Sequence, residues 1–245
     1  MAVSNVSGRY FNCSGAYNIT SCVVLGFLKA SGGGSVAIAE FSRDTVLYIY
    51  ENPPSWPSPK DVEKYVEELY ESAKAVFKNV AILRFTLRTP LTIHTKWPYL
   101  PLEIGLAIHP LLNVPYIPGS SLKGLLSHHI DKACGLDAVE LFGDAEHKGM
   151  LVVFDAYPVK WEKVMEPDII TPHYREVEGE ISEVEASPTP LVYPTVPPGV
   201  EFAFIIAADA DVGCIAELQQ RIADALARGV GARTSLGYGR FKFKF

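Results

Sequence analysis

The segment best suited to hold an anion lies near the C-terminus: Gly229-Val-Gly231-Ala-Arg233-Thr234-Ser235-Leu-Gly237-Tyr238-Gly239-Arg240. Four glycines within eleven residues free the backbone to turn and expose N–H groups that can cradle a phosphate. Arg233, Thr234 and Ser235 set a cation and two hydroxyls beside those N–H groups, which suits a phosphodiester backbone. The loop follows a helical pattern and opens a strand pattern, the reverse of a dinucleotide-binding loop. It also lacks the Gly-Lys-Ser/Thr of a nucleoside-triphosphate loop. Beyond it, Tyr238, Arg240, Lys242 and Lys244 alternate with Phe241, Phe243 and Phe245. Period two predicts a strand over 238–245 with its phenylalanines toward a core and its basic set, with Tyr238, on the other face. A bare face of that kind is an RNA platform, and the same pattern also fits a solvated edge strand whose lysines block aggregation.

A second candidate is Lys123, in the first turn of a helix opened by Pro118-Gly119-Ser120-Ser121. Free N–H groups there, with the lysine, would contact a phosphate; the alternative is a serine that only caps the helix. Asp155, Asp168 and His173 are of the types a nuclease uses for acid–base and metal work, and His94 could serve as the base of a metal-free ribonuclease. Sequence spacing does not make them converge, and the favoured reading is structural, with the aspartates capping turns and His173 bonding the backbone. His128 and His129 are neighbours on a helix and diverge by about 100°, so they do not read as a metal pair. Trp97 and Tyr99 could stack on bases or lie buried under a loop.

These residues need elements to position them. Val80–Leu87, Met150–Phe154, Phe202–Ala207 and Tyr238–Phe245 read as strands. Helices are predicted from Ser120 or Ser121 through Ile130 and from Ile215 through Leu226. The order βαββαβ indicates an α+β, ferredoxin-like (RRM-like) domain over 80–245, with helices on one sheet face and the other face free. Residues 1–79 read as an N-terminal extension. Short strands are expected at Val23–Leu28, Val36–Ala39 and Thr45–Tyr50, followed by one helix from Asp61 as cap through Phe77. Five prolines between Pro188 and Pro198 are expected to break that stretch.

The net charge is −6, which excludes nucleic-acid binding by bulk positive charge. The asymmetry is more informative: residues 162–185 carry −6, as much as the whole chain, whereas 221–245 carry +5. The acidic run within the former reads as a solvated loop or a surface for a basic neighbour. Cys13, Cys22, Cys134 and Cys214 form no CxxC and read as reduced, mostly buried thiols of a cytoplasmic protein. Asn5, Asn12 and Asn18 lie in glycosylation triplets, but the apolar run Cys22–Leu28 is too short and lacks the basic leader of a signal peptide. No apolar run approaches the ~20 residues of a membrane helix.

Three stretches, in order, resemble the RAMP proteins of CRISPR systems and, within them, the sixth-subunit family of type III-B Cmr effector complexes. They are Pro115-Tyr-Ile-Pro118-Gly-Ser120-Ser121-Leu-Lys123-Gly124, the loop Gly229–Gly239, and Asp168-Ile-Ile-Thr-Pro172-His173-Tyr174. Leu141–Asp144 and Phe154–Pro158 fit the same order. The likeness covers residues 80–245 and does not extend to the first 60 residues. The resemblance implies a noncatalytic backbone subunit of an antiviral complex, without a cofactor or metal and away from the membrane. It would grip crRNA toward the guide's 3′ end, meet target RNA within the complex and pack on other RAMP subunits. The RNA-binding residues expected on this footing are Ser120, Ser121, Lys123, Gly231, Arg233, Thr234, Ser235, Gly237, Tyr238, Arg240 and Lys242. The rival expectations are a RAMP endoribonuclease and a protein–protein spacer whose glycine loop is incidental.

Overall fold

The computed structural model describes residues 18–32, 34–171, 175–177, 180–182, 190–208 and 215–243. In chain order the elements begin with α1 (Ile19–Ser31), α2 (Ile38–Glu51), α3 (Pro59–Lys74) and β1 (Asn79–Leu87). Next come α4 (Gly119–His129), β2 (Lys132–Ala133), β3 (Leu136–Asp137), α5 (Ala138–Phe142), β4 (Leu151–Val153) and β5 (Tyr157–Lys160). They continue with β6 (Glu166–Ile170), β7 (Arg175–Val177), β8 (Glu180–Ser182) and β9 (Leu191–Thr195). The last are β10 (Glu201–Ala208), α6 (Ile215–Arg228) and β11 (Phe241–Phe243). Among the described residues no helix is long and apolar enough to cross a membrane. The chain divides into two compact units: Met1–Ser55 with Thr95–Leu106 and Met165–Thr195, and Trp56–His94 with Ala107–Val164 and Val196–Phe245.

The second unit is built on a mixed α+β plan around an antiparallel sheet. β1 pairs along its length with β10, from Asn79 opposite Ala208 to Thr86 opposite Glu201. β11 lies on the other side of β1, with Thr86 opposite Lys242. β4 and β5 both pair with β10, so the spatial order is β11-β1-β10-β4. Met150–Phe154 therefore yields only a three-residue strand, and the chain returns to the sheet at Tyr157. Alternation sends Leu83, Phe85, Leu87, Phe202, Phe204 and Phe241 to one face, where all are buried. Phe85 centres this cluster, with ring centroids 4.6 Å from Phe241 and 5.3 Å from Phe204. α6 packs along β11, α4 along β4, and the two helices touch.

The opposite face is not free. α3 lies across β1, β10 and β5, setting Val62, Val66 and Ala73 against Tyr157, Val159, Ala203 and Ile205. Val62 and Val66 are fully buried, and each contributes roughly 1.5–3 kcal/mol by leaving water. The cause is legible afterwards: the apolar stripe of α3 had to be buried somewhere, and the sheet's second face supplied the partner. Arg84, on that face, reinforces the packing by reaching Glu63 of α3 at 2.7 Å and Glu201 at 3.9 Å. The cap of α3 is Ser58 rather than Asp61, which takes the third helical position of a reciprocal capping box behind Pro59.

The first unit is helical where short strands were expected. Val23–Leu28 lies within α1, Thr45–Tyr50 within α2, and Val36–Ala39 leads into α2. Local β-branching is a weak preference beside capping and packing. The Asn18 side chain accepts from the Ser21 N–H, and Gly32 ends α1 in the left-handed region at φ 44°. In α2, Phe41, Thr45, Val46 and Ile49 are buried at helical spacing, and the Thr45 hydroxyl donates to the Phe41 carbonyl at 2.6 Å. α2 packs on the ribbon of β6 and β9. That ribbon forms despite its prolines because Pro167 and Pro194 face each other at one register position of a two-stranded ladder. β7 and β8 pair as a short hairpin.

The reading of reduced thiols does not hold for the described cysteines: Cys22 and Cys134 each take part in a separate disulfide. Pairing depends on tertiary approach, which sequence spacing does not reveal. Cys13, Cys214, His173, Lys244 and Phe245 lie outside the described residues.

Candidate nucleic-acid interface

The glycine loop leaves α6 at Arg228 and folds onto the segment that follows β1. Val230 N–H donates to the Gly239 carbonyl at 2.9 Å, closing the loop's base. Ala232 N–H donates to the Thr92 carbonyl and Gly239 N–H to the Pro90 carbonyl, both at 2.8 Å, laying the loop along residues 90–92. This explains three of its glycines. A Cβ on Gly231 would meet the Thr92 carbonyl, one on Gly239 the Val230 carbonyl, and one on Gly229 the Tyr238 carbonyl oxygen at 2.8 Å. Gly237 differs: its φ is 91°, yet a Cβ there would meet nothing within 4 Å. Its surroundings are open, and only the backbone conformation demands glycine.

Between these anchors Thr234–Leu236 makes one 3-10 turn, entered through Arg233 at φ 61°. The first N–H groups of such a turn, here Thr234 and Ser235, have no intrahelical acceptor and can meet an anion. The Arg233 guanidinium sits 4.9 Å from the centre of the Tyr238 ring. Tyr238 is thus in the turn rather than in a strand. Among the described residues the terminal strand covers only Phe241–Phe243, because Gly237 and Gly239, both at positive φ, interrupt the extended backbone.

α4 supplies the second part. Its N-cap position is Pro118, without a side-chain cap, so Ser120 and Ser121 lie inside the first turn and do not cap it. The cap comes from across the fold: Gly119 N–H donates to Asp155 Oδ1 at 2.6 Å. A Cβ on Gly119 would strike the Val153 carbonyl, so this glycine lets α4 approach β4. Ser120 is exposed, and Ser121 and Lys123 are half-buried. His94, exposed and at φ 52°, places Nε2 3.1 Å from Ser121 Oγ. The segment 90–94 therefore carries the glycine loop at one end and meets the first turn of α4 at the other.

A third group stands at the sheet edge. Arg88 N–H donates to the Arg240 carbonyl at 2.8 Å, and Arg240 N–H donates to Thr89 Oγ1 at 3.0 Å. Arg88, Arg240 and Lys242 are all exposed beside the loop. Arg88 was not among the sequence candidates; the pairing of β1 with β11 brings it there, and no local motif marks it.

The other described candidates make contacts within the fold. Asp155 Oδ2 also accepts from the Tyr157 hydroxyl at 3.3 Å, and burial, with that carboxylate nearby, pushes the phenol's pKa up. Asp168, in the first unit, accepts from the Tyr193 hydroxyl at 3.2 Å. His128 and His129 end α4, where their position suits the helix dipole, with rings 5.1 Å apart. Trp97 and Tyr99 pack edge to face at 5.3 Å.

The family model of the RAMP superfamily matches residues 84–242, from within β1 through most of β11. The chain belongs to the RAMP superfamily. This RAMP protein is 35% identical over 190 residues to the CRISPR system CMR subunit Cmr6 of Saccharolobus solfataricus, covering 74% of this chain and 64% of that one. It is 33% identical over 116 residues to the Cmr6 subunit of Pyrococcus furiosus, covering 42% and 34% respectively. The RAMP chain thus matches just under two thirds of the first relative's length and about one third of the second's. Its fold superimposes with a TM-score of 0.71 on a chain of the type III-B Cmr-β complex solved by cryo-EM with cognate target RNA. That match has 30% identity and covers 84% of this RAMP chain and 72% of the other.

Proposed function

We propose that this RAMP protein is a noncatalytic, crRNA-binding backbone subunit of a type III-B CRISPR complex that targets RNA. The observation that carries the reading is the convergence of the two RAMP motifs. The glycine loop and the first turn of α4 are tied to the same short segment, residues 90–94. Together they offer backbone N–H groups, Arg233, Lys123 and serine and threonine hydroxyls to a phosphodiester, extended along the edge by Arg88, Arg240 and Lys242. The similarity to Cmr6 subunits, and to a chain of a complex holding target RNA, supports crRNA, target RNA and other Cmr subunits as partners. A place toward the guide's 3′ end, a cytoplasmic site of action and a role in antiviral defence follow from the family resemblance. The strand order β11-β1-β10-β4, with α4 and α6 joining its halves, supports the ferredoxin-like reading of this unit.

With a net charge of −6 the isolated chain should hold RNA weakly, and neighbours should complete the basic groove. The test is photocrosslinking of a thiouridine-substituted guide within the reconstituted complex, with the crosslinked peptides sequenced. Crosslinks in residues 229–240 and 118–124 support the reading. A guide that crosslinks efficiently to other subunits and never to these peptides contradicts it.

A further inference from the structure

We propose that Leu236 is an apolar contact for a nucleobase of the guide, beside the Arg233–Tyr238 pair; this rests on the reading of the glycine loop as an RNA contact. Leu236 is 66% exposed, whereas Val230, at the base of the same loop, is 2% exposed. Val230 thus serves the loop's packing, whereas Leu236 is turned outward. Leu236 is also held in place. Its N–H donates to the Arg233 carbonyl at 2.9 Å, and the following Gly237 N–H donates to the Thr234 carbonyl at 2.9 Å. Left-handed residues at Arg233 and Gly237 fix both ends of the turn. A leucine presented on a closed turn loses little freedom when it meets a partner. The space next to it is open, since a Cβ on Gly237 would touch nothing.

The neighbouring chemistry selects the ligand. Arg233 and Tyr238 present a guanidinium plane and an aromatic ring, the groups on which bases stack, and Thr234 and Ser235 bring N–H groups for a phosphate. A nucleotide has both an anionic and a flat apolar part. The loop has a partner for the first in its N–H groups and Arg233, and for the second in Tyr238 and Leu236. Apolar contact with a base releases no counterions, so it adds affinity without adding salt dependence.

The experiment uses the full chain in a reconstituted complex and guides carrying 2-aminopurine at successive positions. Leu236→Ala, melting like the wild type, is expected to weaken guide retention about tenfold with an unchanged salt slope. It should brighten 2-aminopurine at one guide position, and Leu236→Met should restore both readouts. If Leu236→Ala changes neither while Arg233→Ala flattens the salt slope, the loop grips RNA without the leucine and this inference alone fails. If both variants are silent, the loop is not an RNA contact and the functional reading fails with it. If Leu236→Ala instead lowers incorporation of the subunit before guide is added, Leu236 meets a protein and the inference is overturned.

Discussion

His94 Nε2 lies 3.1 Å from Ser121 Oγ, and this hydrogen bond joins two motifs separated by most of the C-terminal half of the sequence. His94 leads, two residues back, to the Thr92 carbonyl on which the glycine loop rests, and Ser121 opens α4. On the proposed noncatalytic reading the pair is a positioning contact. His94→Ala should shift stability by about 1 kcal/mol or less, because the bond is solvent-exposed and a net hydrogen bond is worth little more. It should weaken guide retention several-fold by loosening the junction. The purified chain should cleave no RNA, and His94→Ala should leave target cutting by the assembled complex unchanged once loading is equalised. Cleavage by the purified chain that His94→Ala abolishes would instead make this a RAMP endoribonuclease.

Asp155 is expected to behave as a cap. Replacement by Ala removes the acceptor for Gly119 N–H and for the Tyr157 hydroxyl, and should lower stability by about 1.5–3 kcal/mol, as for hydrogen bonds to a charged group. Asp155→Asn keeps an acceptor oxygen and should recover part of that loss. Denaturant midpoints of the two variants check this; equal midpoints for Asp155→Ala and wild type would show that the cap carries no weight.

The glycines should separate into two classes. Gly237→Ala faces open space and should lose about 1 kcal/mol from left-handed backbone alone. Gly239→Ala adds a collision with the Val230 carbonyl and should lose about 3 kcal/mol or fail to form the loop. Thermal melts of both variants give the comparison, and equal losses would refute the close approach.

What was legible before the structure was the periodic part. Phe85, Phe202, Phe204 and Phe241 sit on one face because strand alternation is local, and Leu218, Ile222 and Leu226 are buried because helical spacing is local. What was not legible depended on distant partners. The β-branched residues of α1 and α2 pointed to strands, and only packing made them helical. α3 was plain as a helix, but its seat on the sheet's second face was invisible in its own residues. The loop's glycines signalled unusual backbone; that three of four answer to Thr92, Val230 and Tyr238 required the tertiary fold. Arg88 joined the basic edge through strand register, which no motif encodes.

His109 introduces a pH dependence. It is half-buried among Tyr116, Tyr157 and Tyr65, and its Nδ1 accepts the Leu112 N–H at 3.1 Å. Burial lowers its pKa, and the nearby Asp155 carboxylate opposes that in part. The unfolded chain therefore takes up a proton that the folded chain resists, and stability must fall as pH drops through the ordinary histidine range near about 6.5. His109→Asn, which retains an acceptor near Nδ1 and cannot titrate there, should be less stable overall but should lose less between about pH 7.5 and 5.5. Urea midpoints at the two pH values check the difference, and parallel losses in both proteins would exclude His109 as its source.

The reading of the glycine loop as a grip on the guide backbone is tested most directly by crRNA retention in a reconstituted complex, titrated with salt. Arg233→Ala is the variant, provided it melts like the wild type. Loss of one phosphate contact should weaken retention to a similar extent for every guide sequence and flatten the log–log salt dependence by about one unit. An unchanged slope, with retention equal to wild type, would mean that Gly229–Gly239 is a structural turn between α6 and β11 and that the guide is held elsewhere.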